Sequence, residues 1–240
     1  MLIKLFQFFF VLEKTIYNIV LGILFPVLTN PSIYRIPLRR DFCFDMKRYF
    51  IIYKPYLVLS QFSAQLNKQT LADFFSVPKD VYPVGRLDED SEGLLILTND
   101  TQLNHRLLDP GFLHEREYWV QVDGAITKDA MMQLEKGVEI NVNGSLYKTK
   151  HCTVSFFKDA PKLPERNPPI RFRKQIPAPW IKMILTEGKN RQVRRMAAKV
   201  GFPVLRLVRW RIEGIELNNL RPGDIKELPG KIIYKKLFHE

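Results

Sequence analysis

From residue 46 onward, glycine and proline cut the chain into short runs whose apolar period switches between two residues and about 3.6. That alternation confines the fold to short strands mixed with short helices. KRYFIIYKP (47–55) has a buried-strand pattern closed by Pro55. VYPVGRL (81–87) and GLLILTN (93–99) are strand-like. EREYWVQVDG (115–124) alternates, with Tyr118, Val120 and Val122 on one side and Trp119 and Gln121 on the other. VEINVNGSLYKTK carries Asn143-Gly144, the strongest short hairpin signal. HCTVSFF, WIKMILTEG and PVLRLVRWRI supply further strands. Between them lie four helical segments. TLADFFSV (70–77) has Thr70 as its cap and Leu71, Phe74 and Phe75 on one face. DTQLNHRLLDPG stops at Pro110-Gly111, TKDAMMQLEKG runs from Thr127 to Gly137, and NRQVRRMAAKVG gives a basic helix over 190–200. This order predicts an α+β fold on a mixed, mostly antiparallel sheet.

Two stretches stand apart. Residues 1–45 are strongly apolar, but Glu13 and Lys14 interrupt the run at mid-length and leave Thr15–Leu28 short for a membrane span. The domain pattern begins at Met46. The expectation is therefore an apolar extension over 1–45, with Met46 as the natural start, and a membrane role is not favoured. The segment 158–179 is rich in proline (APKLPERNPPIRFRKQIPAP), which holds neither a helix nor a central strand, and it reads as a long basic surface loop. Cys43 and Cys152 have no metal-ligand spacing, and the four histidines show no HxxxH or HExxH pattern. No metal is expected.

The formal net charge is +12. Fourteen basic residues and only two acidic ones lie between Lys162 and Arg211, a local excess equal to that of the whole chain. Arg191, Arg194, Arg195 and Lys199 fall on one helix face, and Val193, Met196, Ala197 and Val200 on the other. Like charges at that spacing repel unless a polyanion neutralises them. Arginine outnumbers lysine here, which suits phosphate forks and base stacking. Nucleic acid is the expected partner.

Against this background the stretch GRLDEDSEGLL (85–95) is unusual, with Asp88, Glu89, Asp90 and Glu92 in five positions. Asp88, Asp90, Glu92 and Gly93 match the start of a calcium loop, but the twelfth position is Asn99 where a glutamate is required, and strands flank the loop. Turn chemistry explains Asp90, Ser91 and Gly93 and leaves Asp88 unexplained. Asp88 follows Leu87 at a strand end, two positions from Arg86, where nearby positive charge favours its ionised form. It is a candidate nucleophile or base.

YPVGRLDEDSEGLLILTND resembles the catalytic motif of the RsuA-like branch of the pseudouridine synthases. REYWVQVDG resembles the family's second, tyrosine-centred block. LTEGKNRQVRRMAAKVGFPVLRLVRWRIEGIEL resembles the third, and all three stand in the family's order over about residues 46–228. RNPPIRFRKQIPAPW further resembles a loop of members that act on large-subunit ribosomal RNA. Ser91, Lys189 and Arg191 stand where threonine, arginine and histidine occur in some relatives. The small S4 RNA-binding module of many relatives has no counterpart in the length or composition of residues 1–45.

The resemblance implies a catalytic domain over 46–235 that isomerises uridine within ribosomal RNA, expected to be 23S RNA. It implies no cofactor, and the enzyme is expected to be monomeric and cytoplasmic. Asp88 is implied as the nucleophile, attacking ribose C1′ or base C6. Tyr118 lies against the flipped base, Lys189 pairs with the aspartate, and Leu205 lines the uracil pocket. Arg86, Arg191, Gln192, Arg194, Arg195, Arg206 and Arg209 are implied contacts to RNA, joined by Arg171 and Arg173 of the basic loop. A non-catalytic RNA-binding protein on the same fold is the alternative. Extruding a base costs a few kcal/mol, which an aromatic face and phosphate contacts offset.

Overall fold

The computed structural model describes residues 46–170 and 173–240, so the expectations for residues 1–45 and for Arg171 lie outside it. The strands are β1 (Tyr49–Lys54), β2 (Val58–Leu59), β3 (Gln69–Thr70), β4 (Tyr82–Pro83), β5 (Glu92–Thr98), β6 (Arg116–Val122) and β7 (Glu139–Val142). They continue with β8 (Ser145–Lys148), β9 (Thr153–Phe156), β10 (Trp180–Leu185), β11 (Val204–Ile212), β12 (Ile215–Glu216) and β13 (Ile225–Glu227). The α-helices are α1 (Thr101–Leu108), α2 (Lys128–Glu135), α3 (Gln192–Lys199) and α4 (Gly230–Phe238).

The main sheet runs β13-β1-β5-β11-β6-β10-β9, with β12 on β11 and β4 on β5. Every pairing in it is antiparallel except β5–β11. That short parallel seam, Val208 beside Glu92 and Arg209 beside Gly93, joins two antiparallel halves. Gly93 has φ of +114°, and a Cβ there would lie 2.4 Å from the Arg209 carbonyl oxygen. Only glycine allows so close an approach.

β1 and β5 are buried along their whole length, which explains their unbroken apolar runs. One face packs Tyr49, Ile51, Leu94 and Ile96 against Leu103 and Leu107 of α1 and Ile233 and Leu237 of α4. The other packs Phe50, Ile52, Leu95 and Leu97 against Leu71, Phe75 and Val81. In the second half, Val120, Val122, Ile181 and Met183 bury against α2 and against Val193 and Met196 of α3. Each fully buried aliphatic side chain contributes about 1.5–3 kcal/mol. Thr127 caps α2 through Ala130 N–H, and Asn143-Gly144, both at positive φ, turn the β7–β8 hairpin.

Two expectations need correction. The helix over 70–77 is a single 3₁₀ turn, Leu71–Asp73. Asp73 turns back to the Thr70 N–H at 2.6 Å, Pro78 blocks extension, and Phe74 stays 38% exposed. The C-terminal helix α4 was not foreseen, and it carries the core past residue 235 through buried Leu237 and Phe238.

Candidate active site

The four carboxylates of the acidic loop meet different fates. A turn closes the loop, with Ser91 N–H donating to the Asp88 carbonyl at 3.0 Å. Ser60 anchors its base, donating to the Leu87 carbonyl (2.7 Å) and accepting from Leu87 N–H (3.0 Å). Glu89 pairs with Lys68 at 2.6 Å. Glu92 receives a buried two-pronged contact from Arg206, at 2.9 and 2.8 Å. Asp90 takes both prongs of Arg191, at 2.9 and 2.7 Å, and lies 3.3 Å from Arg194 Nε. Arg194 also donates to the Asp90 carbonyl at 2.5 Å. Partial burial pushes the Asp90 carboxyl up, but the Arg191 hydrogen bonds and the charges of Arg194 and Arg191 outweigh it and hold it below its usual range. Asp88 alone accepts no side-chain hydrogen bond among the described residues. Its nearest cation is Arg191, with Nη1 3.9 Å from Oδ2. The loop does not gather its carboxylates into a calcium cage, because three of them are neutralised by different bases.

Beneath the loop lies Lys54, fully buried, a residue that sequence reasoning passed over. Its ammonium donates to the carbonyls of Pro55 (2.9 Å) and Val58 (2.6 Å). Burial drives its pKa down to about 7, against the pull of Glu92, Asp90, Asp88 and Glu89.

Asp88 opens into a cleft of about 800 Å³ that is also lined by Arg86, Tyr118, Lys189, Arg191, Leu207, Arg209 and Ile212. Tyr118 stands on β6 directly across from Arg209 on β11. Asp88, Tyr118 and Lys189 thus share one cavity. Arg86 lies exposed at its edge, with no hydrogen bond or ion pair among the described residues.

Several expected contacts differ. Lys189 is not the cation beside Asp88. Its Nζ sits 4.8 Å from the centre of the Tyr147 ring, and Arg191 takes the position near the aspartate. Arg191 is held there by its fork to Asp90, from a backbone at φ +52° on the cap of α3. Gln192 is buried: it donates to Glu187 at 2.5 Å and accepts from Lys189 N–H at 2.9 Å, ordering the turn instead of meeting RNA. Arg194 is bound to Asp90, and Arg195 bonds the Asn141 carbonyl and Asn190. Arg173 pairs with Asp123.

Arg206 and Arg209 are 6% and 5% exposed; Arg206 is withdrawn from the surface, and Arg209 reaches only the wall of the cleft. Arg206 serves Glu92. Arg209 donates to the Leu94 carbonyl at 2.8 Å under the cleft floor, with one Nη atom unpartnered among the described residues. Burial drives its guanidinium pKa down, while Tyr118 and Asp88 pull it back up. Leu205 lines a separate hollow with Gln121, Asp123 and Arg173. Leu207 and Ile212 line the main cleft instead.

Among the described residues, no group of three or more His, Cys, Asp or Glu side chains is placed to hold a metal. None of the described helices is long and apolar enough to cross a membrane.

The expected strand over 81–87 is only the short β4, so Asp88 sits in the loop ahead of β5; with Tyr118 in the same cleft and a cationic wall on a mixed sheet, this is a site suited to an RNA-modifying enzyme. Residues 48–199 match the family model described as RNA pseudouridylate synthase, and the chain belongs to that family. It is 48% identical over 182 residues to "Ribosomal large subunit pseudouridine synthase E" of Vibrio parahaemolyticus, covering 76% of this chain and 74% of that protein. It is 49% identical over 174 residues to the protein of the same name from Xanthomonas axonopodis, covering 72% of this chain and 89% of that protein. A solved structure titled "Crystal structure of pseudouridylate synthase" superposes with a TM-score of 0.64 at 26% identity, covering 80% of this chain and 74% of that one. The fold class is the expected one, and the chain is an RNA pseudouridine synthase, an isomerase.

Proposed function

We propose that this enzyme converts a uridine of large-subunit ribosomal RNA to pseudouridine, with Asp88 as its nucleophile. The carrying observation is the contrast within the acidic loop: three carboxylates are tied to bases, and Asp88 faces the cleft with a cation 3.9 Å away. The names of the relatives from Vibrio and Xanthomonas supply the RNA class.

The cleft would receive one extruded nucleotide. Tyr118 supports the face of the base, and Leu207 and Ile212 enclose its apolar edge, the role first expected of Leu205. Asp88 forms a bond at C1′ or C6. The N1–C1′ bond breaks, the uracil turns, a C5–C1′ bond forms, and the bond to Asp88 breaks again, restoring its carboxylate. The C5 proton leaves and N1 gains one, so substrate and product have the same atoms and electrons, and the reaction consumes no oxidant or co-substrate. Arg86 and the free N–H groups of Arg191 meet the flanking phosphates, with Lys189 beside Tyr147 as a further cation. A guanidinium has five donors, so Arg191 can hold Asp90 and still reach a phosphate. The reading extends to a monomer working in the cytoplasm, with the 158–179 loop contributing to target choice.

The test is to incubate the purified protein with ribosomal RNA from cells lacking its gene and map alkali-resistant carbodiimide adducts. One new modified uridine in large-subunit RNA with wild type, and none with Asp88→Asn at unchanged RNA affinity, is the expected outcome. Absence of product with wild type on both naked RNA and ribosomal particles would overturn the reading in favour of a non-catalytic RNA-binding protein.

A further inference from the structure

We infer that Asp90 is a positioning residue that keeps the Arg191 guanidinium from closing onto Asp88. This rests on the proposed role of Asp88 and adds a second carboxylate to the same chemistry.

An arginine beside two carboxylates has a choice of partner. The two-pronged geometry is the strongest an arginine makes with a carboxylate, and it occupies both oxygens of the acceptor. Closed on Asp88, it would tie up the lone pairs needed for attack. In the structure the fork belongs to Asp90, at 2.9 and 2.7 Å, and Asp88 receives only the 3.9 Å approach of Nη1. That distance lets the positive charge favour the ionised nucleophile while leaving its oxygens free.

Three further features fix the arrangement. The turn from Asp88 to Ser91 brings positions 88 and 90 to the same guanidinium. Arg194 holds Asp90 from a second side, through a hydrogen bond from Nη2 to the backbone carbonyl and an ion-pair approach of Nε to the carboxylate at 3.3 Å. Arg191 itself adopts φ of +52°, a left-handed conformation disfavoured for a residue with a Cβ, and this points to a requirement on where its side chain goes. The other carboxylates of the loop do not compete, since Glu89 and Glu92 have their own bases. Lys54 lies beneath the loop with its Nζ directed to backbone carbonyls, so it neither pairs with Asp90 nor replaces Arg191.

The arrangement separates two roles that a lone aspartate could not combine. Asp90 satisfies the arginine, and Asp88 keeps its charge without a saturating partner. Removing Asp90 frees the fork to collapse onto Asp88. Removing the arginine as well leaves Asp88 weakly supported but open.

The experiment is single-turnover pseudouridine formation at saturating enzyme, with RNA affinity and melting temperature measured in parallel, for wild type, Asp88→Asn, Asp90→Asn, Arg191→Gln and the Asp90→Asn/Arg191→Gln pair. Asp90→Asn should lower the rate constant about 10- to 100-fold, the scale of a misplaced catalytic group, without weakening RNA binding, since it removes negative charge beside the groove. The paired variant should recover to the rate of Arg191→Gln alone. Asp90→Glu, which keeps two oxygens for the fork, should stay within a few-fold of wild type and guards against a folding defect in Asp90→Asn. A wild-type rate in Asp90→Asn, or a paired variant whose losses multiply, overturns the inference. If Asp88→Asn remains active, or wild type makes no product, the underlying reading of Asp88 fails instead.

Discussion

Asp88 and Asp100 stand just beyond opposite ends of the same buried strand, β5, and their surroundings are opposite. Asp100 is 1% exposed and saturated. It accepts from Lys47 (2.9 Å), Tyr49 (2.8 Å) and Tyr234 (2.7 Å), and it caps α1 through Gln102 and Leu103 N–H. Burial pushes its carboxyl up, but these hydrogen bonds prevail and hold its pKa at about 2. Asp88 has no such bonds and opens into the cleft. A fully satisfied carboxylate fastens elements together, whereas one left open beside a cation is available for chemistry. The same difference recurs on β11, where Arg206 is matched by Glu92 and Arg209 keeps an unpartnered nitrogen under the cleft floor.

This contrast can be broken at five places. Asp88→Asn should abolish product formation, a loss on the order of 10⁴-fold or more, with the melting temperature unchanged. A coupled loss of stability would remove the distinction between the two ends of β5. Arg206→Leu leaves Glu92 buried and unpaired and should cost about 3–5 kcal/mol in urea unfolding. Arg209→Met should cost less than that and still slow turnover.

Asp100→Ala should cost about 2–4 kcal/mol while activity per folded molecule persists. The pH dependence has a definite sign. The folded pKa of Asp100 lies near 2 and the unfolded value near 3.9, so its contribution is complete above about pH 4 and is lost as pH falls toward 2. Acid titration of wild type should show that loss, and Asp100→Ala should flatten it. The smallest effect belongs to Arg86→Ala, which should reduce the salt dependence of RNA binding by about one unit of slope and leave the saturated rate nearly unchanged.

Much of this was legible in the residues. The Asn143-Gly144 hairpin and the Thr127 cap follow from local chemistry alone, and the motif blocks singled out Asp88 and Tyr118. Partners distant along the chain were not legible. Arg206 looks like a surface cation until Glu92, 114 positions away, is folded against it. Leu207 and not Leu205 lines the main cleft, and β11 departs from regular register between Val204 and Arg206, so counting alternate residues fails there. Arg191 stands nearer to Asp88 than Lys189 does, and the positive φ at 191 is invisible in composition. The helix expected over 70–77 had the right apolar spacing, but a carboxylate at 73 and the proline at 78 overrode it.

The parallel seam at Gly93 has a mechanical consequence. Asp88 hangs from the strand on one side of it and Tyr118 from the half-sheet on the other, and the ladder pairing between those strands is confined to Val208–Glu92 and Arg209–Gly93. The seam therefore works as a keel: it sets the gap between nucleophile and aromatic wall, and even a single added methyl group would act there as a wedge. The span across the keel is therefore the part of the cleft whose geometry the backbone holds most tightly.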